Sequence, residues 1–147
     1  MSVTIRPLDL SDRSAWETLF QGYADFYGVP QTPPMRDTVW GWLHDPEHGS
    51  NCFVAEQDGK LIGFTHYRPF VSTLRAITNG FLDDLFVDPN ARGSGAAQAL
   101  IDAVSAVGRE KGWGVIRWIT AEDNYRARVV YDRVASRTPW VTYDIKL

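Results

Sequence analysis

The stretch Val87-Asp88-Pro89-Asn90-Ala91-Arg92-Gly93-Ser94-Gly95-Ala96-Ala97 joins a strand to a helix through a turn of small residues. Phe81 to Val87 is apolar and stopped by Asp88-Pro89. Beyond Gly95, residues Ala97, Leu100, Ile101, Val104 and Val107 recur on one helical face. The first N–H groups of a helix lack intrahelical partners and carry partial positive charge. A turn of Gly93, Ser94, Gly95, Ala96 and Ala97 can therefore cradle a pyrophosphate, with Arg92 adding a fixed cation. Two glycines alone favour an ordinary strand-to-helix connection over a ligand site. A P-loop is excluded because no Lys follows Gly95, and a dinucleotide turn because Gln98 stands where the third small residue of G-x-G-x-x-G belongs.

The rest of the chain supplies elements on both sides of this junction. Ser2 to Arg6, closed by Pro7, predicts a first strand. Trp16, Leu19, Phe20, Tyr23, Phe26 and Tyr27 then recur at helical spacing, with Ser14 and Glu17 in capping-box relation and Gly28 at the end. Pro30, Pro33 and Pro34 force an extended link, and Arg36 to His44 predicts a second short helix. Cys52 to Gln57 and Leu61 to Arg68 form an antiparallel hairpin through Asp58-Gly59, a pair suited to the positive φ of a tight turn. After the glycine turn and its helix come a strand over Val115 to Thr120, a helix over Asn124 to Val134 and a last strand over Trp140 to Leu147. The order is β-α-α-β-β-β-α-β-α-β in one domain spanning residues 1–147, with no repeat or linker.

Composition bounds the function. With 147 residues, 44% of them hydrophobic, the chain can bury one substantial core. A net charge of −3 argues against nucleic acid, whose binding domains carry a basic stripe, and suits a cationic substrate better. Cys52 is the only cysteine, so no internal disulfide forms, and no Cys/His spacing matches a metal site. A cytoplasmic location follows as an expectation. No segment approaches the roughly 20 apolar residues of a membrane span.

The turn and the helix at Asn124 together resemble the GNAT superfamily of acetyl-CoA-dependent N-acetyltransferases. Arg92, Gly95 and Ala97 match its Arg/Gln-x-x-Gly-x-Gly/Ala signature, and Asn124, Ala127 and Tyr131 its Asn-x-x-Ala-x-x-x-Tyr helix. The element order is also that of the superfamily. Within it, Phe81-Leu82-Asp83-Asp84-Leu85-Phe86-Val87 resembles the polyamine, thialysine and yeast histone/polyamine acetyltransferase branch. The chain departs from the pattern at Ala135, where a glycine is usual, and at Ser136, where an aromatic is common.

The resemblance implies an α/β (α+β) domain whose central, twisted, mostly antiparallel mixed sheet is flanked by helices. It also implies acetyl-CoA as cosubstrate, a small-molecule amine as acceptor and a homodimer. The backbone of Leu85, Phe86 and Val87 would hold the pantetheine arm, Arg92 to Ala97 the pyrophosphate, and Asn124 either the cofactor or its own helix as a cap. Tyr131 takes the place of the general acid, or else is a core aromatic beside Ala127 and Val134. Adjacent strand residues point to opposite faces, so only one of Asp83 and Asp84 faces the reaction, and by resemblance it is Asp83. Asp84 reads as a charge paired within the fold. An aspartate near pKa 3.9 is a poor direct base for an ammonium near 10.4, so Asp83 attracts the cation or takes its proton through water.

Tyr23 and Tyr27, with polar tips on an otherwise apolar face, are candidate substrate contacts. Cys52 reads as a buried thiol, and His66 as structural. The apolar Trp140, Val141, Tyr143, Ile145 and Leu147 predict strand pairing across a subunit interface. A non-catalytic acyl-CoA sensor and a protein lysine or Nα-acetyltransferase are the competing functions.

Overall fold

The computed structural model describes residues 2–147. Five strands, β1 (Thr4–Pro7), β2 (Asn51–Gln57), β3 (Lys60–Ser72), β4 (Ile77–Val87) and β5 (Ile116–Trp118), form one sheet in sequential order. The first four are antiparallel neighbours, and β5 runs parallel to β4. Four helices cover the sheet: α1 (Arg13–Phe26), α2 (Pro33–Leu43), α3 (Ala96–Lys111) and α4 (Tyr125–Val134).

Each face of the sheet has its own core. Trp16, Leu19 and Phe20 of α1 pack on Cys52, Val54, Leu61 and Phe64, with Val39, Trp40 and Leu43 of α2 against the same cluster. On the other face Ala96 and Leu100 of α3 meet Ala55 and Ile62. Further along α3, Ile101 and Val104 meet Tyr67 and Leu82, joined by Tyr131 and Val134 of α4. The helical spacing read from the sequence is the buried face for Trp16, Leu19, Phe20, Leu100, Ile101 and Val104, each fully buried large side chain contributing about 1.5–3 kcal/mol, whereas Phe26 and Tyr27 at the end of α1 are exposed.

Local chemistry explains the element ends. Asp58 (φ 54°) and Gly59 (φ 74°) turn the β2–β3 hairpin in the left-handed region, as their pairing predicts. The Thr32 hydroxyl accepts from the Met35 N–H and Pro33 opens α2, so this helix starts three residues before Arg36. The capping box expected at Ser14–Glu17 is instead Asp9 with Asp12, closing a single 3₁₀ turn ahead of α1. Glu17 is used elsewhere, ion-pairing Arg13 and the buried Arg36.

Two differences from the sequence-based expectation matter for function. The strand after α3 is shorter than Val115–Thr120: β5 pairs with β4 only from Gly80 to Leu82, so Asp83 to Val87 have no partner on that side. The final strand over Trp140–Leu147 does not form; the segment after α4 has no regular structure, and Trp140, Tyr143 and Ile145 are 73%, 89% and 87% exposed. Alternation gives that segment one apolar face, but a strand also requires a neighbour to take its backbone hydrogen bonds, and none pairs with it among the described residues of one chain.

Candidate active site

The glycine turn leaves β4 through a short 3₁₀ turn, Pro89–Ala91, nucleated by Asp88, whose carboxylate accepts from the Asn90 N–H at 2.9 Å. Gly93 (φ 82°) and Gly95 (φ 83°) both lie in the left-handed region, and Gly95 is the N-cap of α3. Glycine is required there by conformation rather than by crowding, since nothing lies within 4 Å of a Cβ at either position. The Ser94 hydroxyl caps the Ala96 N–H at 3.3 Å, and Ala99 N–H makes the first intrahelical bond, to Gly95. Ala97 and Gln98 keep first-turn N–H groups without a protein acceptor among the described residues.

Those N–H groups belong to the rim of a cavity of about 820 Å³. Its walls are Gly22, Tyr23, Phe26 and Tyr27 of α1, the unpaired end of β4 at Leu85, Phe86 and Val87, and the turn from Ala91 to Gln98. Asn124, Ala127, Val130 and Tyr131 of α4 close the far side. The cavity therefore brings together Tyr23, Tyr27, Leu85, Phe86, Val87, Arg92, Gly93, Ser94, Gly95, Ala96, Ala97, Asn124 and Tyr131. It sits where β4 and β5 diverge, so the main chain of residues 83–87 on that side is available to a ligand.

The donor set suits a polyanion with an acyl arm. Arg92, Arg126 and Arg133 line the cavity, and among the described residues none has a carboxylate within ion-pair distance, unlike Arg6, Arg13, Arg36 and Arg68. Arg126 and Arg133 were not anticipated from the sequence. Their i, i+7 spacing on a helix that already carries Asn124 and Tyr131 was the available signal, because such residues share a face. Asn124 is a helix cap, its side chain accepting from the Ala127 N–H at 3.4 Å, and it also reaches the cavity wall.

Tyr131 packs edge-on against Trp118 at 5.4 Å and also lines the cavity. Burial first, and then Tyr27, push its pKa up to about 12. Its O–H is therefore retained throughout the neutral range. Tyr23 is pushed up further, chiefly by burial, then by the nearby charge of Asp84 and by Tyr27. The three tyrosines thus converge on one region of the wall.

The acidic pair does not alternate as an ideal strand would. His66 faces Asp84 and Tyr67 faces Leu82, leaving Asp83 as the extra residue of a bulge in β4. Asp83 binds Arg68 at 3.0 Å and Asp84 binds His66 at 2.8 Å, and these partners are two residues apart on β3, on one face. Opposite orientation is corrected accordingly: the bulge turns both carboxylates to the same side. Asp83 is not among the cavity-lining residues. Burial raises its pKa, and Arg68 offsets part of that rise. Asp84 is paired within the fold with His66, and its charge also raises the pKa of Tyr23 on the cavity wall. His66 is buried, and the sequence offered no sign of its partners. Cys52 is buried, with its thiol pKa raised chiefly by burial, and it is not part of the cavity wall. Among the described residues no cluster of His, Cys, Asp or Glu is placed to hold a metal, and no helix is long and apolar enough to cross a membrane.

The model of the acetyltransferase (GNAT) family matches residues 16–135, which include most of α1, the acidic strand, the glycine turn and the Asn124 helix. The chain belongs to the GNAT acetyltransferase family. Among its GNAT relatives is the D-amino-acid N-acetyltransferase HPA3 of Saccharomyces cerevisiae, 28% identical over 144 residues that cover 96% of this chain and 89% of the yeast protein. An uncharacterized N-acetyltransferase of Bacillus subtilis, YhfO, is 30% identical over 131 residues, covering 89% of this chain and 87% of that one. The aminoglycoside acetyltransferase AAC(6')-Iy, solved with a bisubstrate analogue of CoA, superposes with a TM-score of 0.85 at 22% identity over 100% of this chain and 99% of its own, a likeness of fold. This GNAT protein is an acyl-CoA-dependent N-acetyltransferase.

Proposed function

We propose that this enzyme transfers acetyl from acetyl-CoA directly to a primary amine of a small molecule, such as an amino acid or polyamine, in a ternary complex. The observation that carries this reading is the single cavity holding a pyrophosphate cradle, an unpaired strand edge and a tyrosine O–H together. Arg92 and the N–H groups at the start of α3 bind the pyrophosphate, Arg126 and Arg133 the remaining phosphate charge, and the main chain of Leu85 to Val87 the pantetheine arm. The amine attacks the thioester carbon, the C–S bond breaks, and Tyr131 gives the departing sulfur a proton or a strong hydrogen bond. No acyl-cysteine is needed, and the buried Cys52 lies away from the cavity. Asp83, held by Arg68 outside the wall, attracts the incoming ammonium by its charge. The yeast relative's action on D-amino acids supports a small amine acceptor.

Incubating the protein with acetyl-CoA and a panel of D- and L-amino acids, polyamines, aminoglycosides and lysine peptides tests this. Thiol release with a small amine is the expected result. Binding of acetyl-CoA without thiol release on any acceptor would leave a sensor, and release only with peptides would make it a protein acetyltransferase.

The enzyme also acts, on this reading, as a cytoplasmic homodimer. Val141, Tyr143, Ile145 and Leu147 alternate with Thr142, Asp144 and Lys146, a half-buried strand pattern that one copy leaves exposed. The edge strand β5 has one free side, with Ile119 exposed just beyond it. A second copy offers both the edge and the apolar surface that this segment lacks.

A further inference from the structure

A second cavity, of about 230 Å³, lies between α3, β5 and the end of α4. Its walls include the apolar side chains of Ile101, Trp113, Ile116, Trp118 and Val134, together with Arg109. β5 is the last strand of the sheet, so its outer side carries N–H and C=O groups that no strand among the described residues takes. Ile116 and Trp118 pack towards α3, and alternation puts Arg117 on the opposite face, where its guanidinium lies 5.9 Å over the Phe70 ring. No carboxylate among the described residues stands within ion-pair distance of Arg117. The C-terminal segment matches this edge on both of its faces. In an extended chain Val141, Tyr143, Ile145 and Leu147 fall on one side, and Thr142, Asp144 and Lys146 on the other. Laid along β5, the first set enters the apolar cavity and the second puts Asp144 on the face that holds Arg117. In its own copy the segment is exposed throughout. Trp118 connects this edge to the chemistry: it lines the second cavity, and its ring meets that of Tyr131, which lines the active site.

We propose that the cavity beside β5 is the seat of the C-terminal segment of a second copy, and that filling it fixes Trp118 and, through Trp118, the hydroxyl of Tyr131 at the leaving sulfur. The docking rests on the two-faced match at β5, and its catalytic consequence rests on the acetyl-transfer reading of the active site. Exchange in a twofold dimer is reciprocal, each copy lending its segment and receiving the other's. The added strand takes the hydrogen bonds of the outer edge of β5, its apolar side chains leave water, and Asp144 lies beside the partner's Arg117. Trp118 does not line the active-site cavity and acts as a positioning residue. A loosely held indole lets the Tyr131 ring drift, and a misplacement of about 1 Å at a catalytic group costs about 10²-fold in rate. The monomer therefore binds acetyl-CoA but transfers its acetyl group poorly.

Charge reversal tests the docking in the full chain. Arg117→Glu and Asp144→Arg should each raise the dimer dissociation constant in sedimentation several-fold, because the mismatch occurs twice per dimer, and the combined variant should restore it. At a concentration where Asp144→Arg is monomeric and the combined variant dimeric, kcat on the best amine should be about 10²-fold lower in the monomer, with KM for acetyl-CoA unchanged. All helices and strands end by Val134, so a chain lacking residues 139–147 keeps every element. That chain should bind acetyl-CoA normally in calorimetry, and a synthetic peptide of residues 139–147 should bind it and restore kcat. A wild type monomeric at micromolar concentration, a dimer indifferent to either reversal, or reversals whose effects add would overturn the docking. Full kcat in the monomeric Asp144→Arg protein would overturn the coupling to Tyr131. A wild type that releases no thiol with any amine overturns the transfer reading and the coupling with it, while sedimentation and peptide binding, which need no substrate, still decide the docking.

Discussion

At Gly95 the backbone has φ 83° and the N–H groups of the first turn of α3 point outward at a cavity lined by three unpaired arginines. A side chain there is strained, by about 1–2 kcal/mol, and a carboxylate adds repulsion to any bound phosphate. Gly95→Glu should therefore fold with a modestly lower melting temperature and lose acetyl-CoA affinity in calorimetry; retained affinity would remove the turn from the binding site. Tyr131 differs in kind, since its packing on Trp118 and its hydroxyl are separable. Tyr131→Phe should keep acetyl-CoA affinity and thermal stability while kcat falls about 10²–10⁴-fold. Unchanged turnover would reduce it to a packing residue. Single positions such as these were open to sequence reasoning because the turn and the helix state their geometry in residue type. The buried chain from Trp16 through His66 to Asp84 was not, because its members come from α1, β3 and β4 and meet only after the sheet is covered.

Elements contribute through their edges as much as through their faces. β4 has a full partner in β3, but on its other side it is paired only at Gly80 to Leu82, and that partial pairing opens the cavity. α3 holds the opposite wall by burying Leu100 completely against Ala55 and Ile62. Leu100→Ala should cost about 2–5 kcal/mol in urea unfolding, with acetyl-CoA affinity falling as the helix start loosens. A loss below about 1 kcal/mol would mean the site relaxes around the cavity. The C-terminal segment behaves oppositely, because in one chain it contributes an apolar strand with nothing to pair. Deleting residues 139–147 should convert a dimer to a monomer in sedimentation; a wild type already monomeric at micromolar concentration, or a dimer surviving the deletion, would remove the segment from the interface.

For the whole molecule, one buried and two half-buried tyrosines together with one buried thiol set a stability limit at alkaline pH. Tyr23, Tyr67 and Tyr131 all have pKa values raised from an ordinary 10.0, and Cys52 from 9.0, with burial the largest cause in each case. The folded chain holds these protons more tightly than the unfolded chain does. Their contribution is therefore fully present below pH 9 and is lost as pH rises through the folded values, about 12 for Tyr67 and Tyr131. Denaturant midpoints should fall steadily from pH 9 to 11 in wild type, and less steeply in Tyr131→Phe; a flat profile would show the hydroxyls to be solvated. What the sequence determined by itself was the list and order of most elements, the hairpin turn at Asp58-Gly59, the glycine cradle and the tyrosine helix, because each is written in periodicity, turn chemistry or local motif. Tertiary structure decided the rest: the bulge at Asp83, the parting of β5 from β4, the arginines of α4 and the unpaired C-terminus. Each of these depends on which strands and faces meet, and pairing between residues dozens of positions apart leaves no local pattern to read.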